Sequence, residues 1–122
     1  MGGKMSRTKG LSFEREIAVA FRPLFPDAKR LFENRDGQGY DLENTGRLRI
    51  QCKRYRAYAS LTKIDEARGE DDTIPLLVTK GDRKETLVAL PLSDFIEILK
   101  DPTYVGVSNN ADQDRREEGS EK

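Results

Sequence analysis

Histidine is absent from this 122-residue chain, and cysteine occurs only once. Without histidine there is no histidine-based triad and no histidine-bound metal, so carboxylates, amides and lysines are left to carry any chemistry. The lone Cys52 excludes an internal disulfide and a zinc cluster, and reads as a small core residue. No apolar run approaches the roughly 20 residues needed to cross a bilayer, and the basic first residues lead into no secretory apolar stretch. A soluble cytoplasmic protein without a membrane partner is expected.

Net charge is also lacking: 22 Lys and Arg balance 22 Asp and Glu. The distribution is uneven, because residues 1–58 hold 13 basic against 7 acidic residues, a balance of +6, and the remainder holds 9 against 15, a balance of −6. Local patches steer charged substrates more than the total does. A chain of this length forms one domain with a modest core, leaving no room for a second.

What is present is concentrated in residues 39–53, GYDLENTGRLRIQCK. Leu48, Ile50 and Cys52 alternate there with Arg47, Arg49, Gln51 and Lys53, the period of a strand whose side chains switch faces at every residue. Gln51 and Lys53 therefore share a polar face. Asn44-Thr45-Gly46 supplies a tight turn, since Asn tolerates and Gly readily adopts positive φ, and the turn folds Asp41 back beside Gln51. A carboxylate, an amide carbonyl and an ammonium then converge. Oxygen donors of this kind suit magnesium, which takes one or two protein carboxylates together with phosphate oxygens and waters. Such an ion supplies hydroxide and offsets charge at phosphorus, and a lysine beside it orients the attacking water or stabilises the phosphate.

Each of these residues has a plainer reading when taken alone. Asp41 is a common turn residue next to Gly and Asn, and Gln51 and Lys53 fit the wet face of an edge strand. Upstream, Phe13, Ile17, Ala20, Phe21 and Leu24 form an apolar helical stripe, with Glu14 and Glu16 flanking it on opposite sides. Periodicity does not choose between these two glutamates, and either fits a solvated helix surface.

Taken together, the motifs resemble the PD-(D/E)XK nuclease superfamily, whose signature is an acidic residue, a spacer, then Glu or Gln two residues before Lys on a strand. Lys9-Gly10-Leu11-Ser12-Phe13-Glu14-Arg15-Glu16 looks like the opening of archaeal-type Holliday junction resolvases, and Ile74 to Lys80 looks like their strand after the second helix. Gln51-Cys52-Lys53-Arg54-Tyr55 is similar to the Gln-x-Lys motif of Mrr-type restriction nucleases. The resemblance covers about residues 9 to 100. It implies catalytic Glu14, Asp41, Gln51 and Lys53, and a magnesium site, open to manganese, made by Glu14, Asp41, Gln51 and the Cys52 backbone carbonyl. It favours Glu14 over Glu16. Most members carry Glu where this chain has Gln51, whose carbonyl still binds a hard cation but brings no charge.

A basic and aromatic run, Arg49, Arg54, Tyr55, Arg56 and Tyr58, surrounds these positions, with Lys9, Arg30 and Arg35 on the approach. Such residues grip phosphates and stack on splayed bases. The expected function is a magnesium-dependent DNA endonuclease, a Holliday junction resolvase acting as a homodimer in DNA recombination and repair. The alternatives are a phage- or restriction-associated nuclease on duplex DNA, and a non-catalytic nucleic-acid-binding module.

The expected elements are a flexible basic arm over residues 1–9, then a helix from Leu11 to Arg22 ended by Pro23 and Pro26. Strands follow at 28–32, 39–43 and 47–55, a helix at 61–69, and strands at 74–79 and 86–90. A last helix capped by Ser93 turns Phe95, Ile96 and Leu99 inward, and the polar tail from 101 is disordered. The order predicts an α/β domain over 10–100, and the resemblance implies a restriction-endonuclease-like core, a mixed five-stranded sheet flanked by helices.

Overall fold

The computed structural model describes residues 2–31, 39–70 and 72–107, with side chains from Gly10 onward. Arg35, the side chain of Lys9 and most of the expected polar tail lie outside these described residues.

Helix α1 spans Gly2–Phe21 and so extends back through the region expected as an arm; no proline interrupts it, and Pro23 lies just past its end. Its buried face is Phe13, Ile17 and Ala18, with Phe21 partly covered. The sequence stripe ran through Ala20 and Leu24 instead, but Ala20 is exposed and Leu24 is 48% exposed. The chain turns after Phe21, so the register of the face is set by Ala18 close to the sheet, and Phe25 takes the buried place expected of Leu24.

Strands β1 (Lys29–Arg30) and β2 (Leu42–Glu43) pair antiparallel in a small sheet of their own. Strand β3 (Leu48–Arg54) runs parallel to β4 (Ile74–Lys80), which pairs antiparallel with β5 (Leu87–Ala89), giving a three-stranded mixed sheet. The α/β class stands, but the single five-stranded sheet divides into two. The break has a local cause. Asp41 N–H donates to the Ile50 carbonyl at 2.7 Å, yet the next partner along β3, the Cys52 N–H, goes to the Asp41 side chain rather than to a backbone carbonyl. The ladder ends where the side chain takes over.

The two faces of β3 and β4 bury different partners. Ile50, Cys52, Leu76 and Val78 join Phe13, Ile17 and Ala18 in the main core under α1. On the opposite face a 3-10 turn (Leu61–Lys63) runs directly into the short helix α2 (Ile64–Ala67), which lies over Gln51 and Leu77. One longer helix had been expected over 61–69; Arg68 leaves the helical region with ψ 134°.

Helix α3 (Leu92–Lys100) follows Pro91, the residue at its N-cap in place of Ser93. It presents Phe95, Ile96 and Leu99 outward at 45, 42 and 67% exposure, the reverse of the inward face expected from its pattern. Only Ile98 packs on the core, together with Tyr104, whose hydroxyl meets Asp94 at 3.1 Å. Among the described residues no helix is long and apolar enough to cross a membrane.

Candidate active site

The Asn44-Thr45-Gly46 turn forms as its residues demand, with φ of 64° at Asn44 and 60° at Gly46. A Cβ at Gly46 would sit 2.5 Å from the Val105 carbonyl, so that position takes glycine for space as well as for φ. The turn returns the chain so that Asp41 lies along β3. Its Oδ2 accepts the Cys52 N–H at 2.7 Å.

Strand geometry places the other donors. The Ile50 carbonyl and Cys52 N–H both point toward Asp41, and backbone groups of alternate residues on a strand share a side, so the Cys52 carbonyl is on the Asp41 side of β3. Gln51 and Lys53 project from the other face, toward α2, and Gln51 is 5% exposed. Glu14 approaches from α1, half-buried and within electrostatic reach of Asp41, Arg30 and Lys53, whereas Glu16 is exposed. The structure thus brings Glu14, Asp41, the Cys52 backbone and Lys53 to one edge of β3, while the Gln51 amide faces α2 and meets Glu66 there.

Both carboxyls are held above their ordinary range. Burial pushes Glu14 up to about 7, with the Asp41 charge adding to it and Arg30 and Lys53 opposing. Burial also raises Asp41, against the Cys52 N–H and Lys53, which favour the ionised form. Burial and the neighbouring carboxylates likewise push the Cys52 thiol up, which makes it an inert core group.

Glu66, on α2, carries no motif and is missing from the sequence reading. Its Oε1 accepts from Gln51 Nε2 at 2.7 Å and lies 3.4 Å from Lys53 Nζ, and its Oε2 meets Lys63 Nζ at 3.0 Å. The Lys63 hydrogen bond, with Lys53 adding to it, keeps this carboxyl below its ordinary value. Only the run of charged residues on a predicted helix hinted at it; its partner choice depends on how α2 docks.

The basic residues divide. Arg30 lies on β1 beside Glu14. Lys53, Arg54, Tyr55, Arg56 and Tyr58 line a cleft of about 700 Å³ that continues from the Cys52 end of the site. Arg49 is committed elsewhere, with Nε donating to the Ala67 carbonyl at 2.8 Å and its guanidinium 4.3 Å from the Tyr40 ring centre. It anchors α2 rather than lining the cleft.

These donors fit a hard divalent cation. Among the described residues no three His, Cys, Asp or Glu side chains are set to hold a metal by themselves. Two carboxyls crowded at a partly buried edge, with a backbone carbonyl on hand, nevertheless form an oxygen-rich set whose charge Arg30 and Lys53 offset only in part, since both carboxyls stay raised. Comparison with family models, with curated proteins and with solved structures finds no match to this chain. Its function is therefore read from the chemistry of the site.

Proposed function

We propose that this protein is a divalent-metal-dependent endodeoxyribonuclease whose substrate is branched DNA, a resolvase of four-way junctions. The observation that carries the reading is the Asp41 carboxylate fixed beside β3 by the Cys52 N–H, with Glu14 and Lys53 within electrostatic reach of it. Glu14, Asp41, the Gln51 amide oxygen and the Cys52 carbonyl would hold magnesium, and manganese could replace it. When bound, such an ion offsets phosphate charge and supplies hydroxide at neutral pH.

The chain's own groups divide the remaining work. Lys53 aligns the attacking water and stabilises charge on the phosphate as the water oxygen bonds to phosphorus and an ester P–O bond breaks. Asp41, held by a backbone donor, keeps its geometry without substrate. Arg54, whose Nε is buried without a hydrogen-bond partner, and Arg56 take flanking phosphates in the cleft, and Tyr55, 42% exposed, stacks on an unpaired base. A homodimer would cover the outward apolar face of α3 and the exposed Leu87 and Val88 of the edge strand β5. Two such sites would cut two strands of one junction.

The deciding experiment is cleavage of labelled four-way junction, matched linear duplex and single strand, each with magnesium, manganese and chelator. Metal-dependent paired nicks restricted to the junction are expected. Cutting of linear duplex moves the assignment to a restriction-like nuclease, the reading favoured by Gln51-Cys52-Lys53-Arg54-Tyr55. No cutting at all leaves a nucleic-acid-binding module built on the Arg54 and Tyr55 cleft.

A further inference from the structure

Gln51 presents a problem of orientation to the site proposed above. An amide has an oxygen that ligates a cation and an NH2 that repels one, and rotation about the last side-chain bond exchanges them. In this chain the choice is made by Glu66. A carboxylate only accepts, so the contact of 2.7 Å between Gln51 and Glu66 Oε1 engages the NH2 end and leaves the amide oxygen for the other side. Gln51 is 5% exposed, so no bulk water competes freely for that end.

Glu66 can do this because α2 is clamped. A helix of only four residues has little stability of its own. An anchor from β3 fixes it: Arg49 Nε holds the Ala67 carbonyl at 2.8 Å, and Ala67 itself is fully buried. The chain before Asp41 also presses against it, since Gly39, at φ +73°, sits where any Cβ would collide with the Glu66 carbonyl. The same carboxylate keeps the Lys53 ammonium at 3.4 Å. Its 3.0 Å pair with Lys63 is an exposed i,i+3 contact of the kind that contributes little to stability.

We propose that Glu66 is a positioning residue of the metal site: it turns the Gln51 carbonyl toward the cation and supplies, one step removed, the negative charge that an amide at position 51 lacks. The inference rests on the metal-dependent reading of the site. It assigns to α2 a carboxylate that no spacing on β3 reveals, and makes Gln51 and Glu66 one functional unit.

The test is Mn²⁺ binding to the metal-free full-length protein without DNA, followed by calorimetry and by the manganese electron-spin signal. Glu66→Ala is expected to weaken binding roughly tenfold, the lower end of the loss seen when a partner of a metal ligand is removed. Its metal-free melting temperature should stay near wild type, because the Glu66 side chain is 41% exposed. The exchange Gln51→Glu with Glu66→Gln restores the pair with carboxylate and amide reversed, and is expected to recover the binding lost in Glu66→Ala. A carboxylate at 51 ligates the cation by itself, so the exchange is compared with Gln51→Glu plus Glu66→Ala: a positioning role makes the exchange bind more tightly than that variant, and a merely structural role makes the two equal. Should Glu66→Ala melt early, Glu66→Gln alone serves, with a smaller loss expected because its amide oxygen still accepts from Gln51. Wild-type protein that binds no Mn²⁺ overturns the metal reading and this inference with it. Binding that is present but indifferent to Glu66, a loss that the exchange does not recover, or an exchange that binds no more tightly than its comparison variant, overturns this inference alone.

Discussion

The Asp41 carboxylate accepts the backbone N–H of Cys52 at 2.7 Å, so the side chain at the centre of the proposed site takes the donor that a strand beside β3 would have used, and β2 and β3 stand in separate sheets. A ladder carbonyl in that place would have continued the sheet and left no room for a carboxylate. The same hydrogen bond favours the ionised form of a group that burial pushes the other way.

Removal of this carboxylate separates chemistry from folding. Asp41→Asn retains an oxygen for the Cys52 N–H and is expected to fold, whereas Asp41→Ala loses the acceptor as well. Both should lower the cleavage rate by on the order of a hundredfold or more, as loss of a group acting on developing charge does. Lys53→Ala should do the same, with junction binding retained in gel shifts. Wild-type cleavage by Asp41→Asn or Lys53→Ala would exclude the assigned roles.

Metal-free stability is expected to fall as pH rises through the range set by Glu14. Below its unfolded value of 4.5 both states hold the proton and no penalty arises. Between 4.5 and about 7 the folded state retains a proton that the unfolded chain releases, so stability declines, and above about 7 the full cost of the buried charge is present. Asp41, also raised, acts in the same direction. The difference between wild type and Glu14→Gln in denaturant midpoint, followed across this range, isolates the Glu14 share. Identical pH profiles would contradict it. Added Mn²⁺ should stabilise wild type most at the high-pH end, where both carboxylates are ionised.

Gly39→Ala tests the clamp on α2. The substitution places a Cβ against the Glu66 carbonyl at a φ of +73°, and is expected to cost about 1–3 kcal/mol in denaturant unfolding. Cleavage should fall along with stability, since α2 must shift and carry Glu66 away from Gln51. A neutral Gly39→Ala would show that α2 adjusts freely.

The outward face of α3 predicts a change of assembly without a change of fold. Phe95→Glu with Leu99→Glu alters two exposed positions, at 45 and 67%, and is expected to convert a dimer in sedimentation equilibrium to a monomer while Mn²⁺ binding per chain is kept. A wild-type protein that sediments as a monomer at all accessible concentrations would remove the homodimer from the proposal.

The legible parts of the site were those decided by local period and turn chemistry. The alternation of Leu48, Ile50 and Cys52 with Gln51 and Lys53 appears as two faces of β3, and the Asn44 to Gly46 turn adopts the positive φ its residues favour. Periodicity left Glu14 and Glu16 open, because the two flank the same stripe; the resemblance favoured Glu14, and the docked α1 leaves Glu14 half-buried near Asp41 and Glu16 exposed. Helix α3 was misread for a related reason: its apolar face is regular, but periodicity gives a face and not its partner.

The sequence by itself therefore determined the α/β class, the two-faced strand and its turn, since each depends on neighbours within a few residues. Tertiary structure alone decided that five strands divide into two sheets, that α3 turns its apolar side outward, and that Glu66 pairs with Gln51. Those outcomes depend on which surfaces of distant elements meet, and burial, backbone clearance at Gly39 and the demand of each buried donor for an acceptor fix that only in the folded chain.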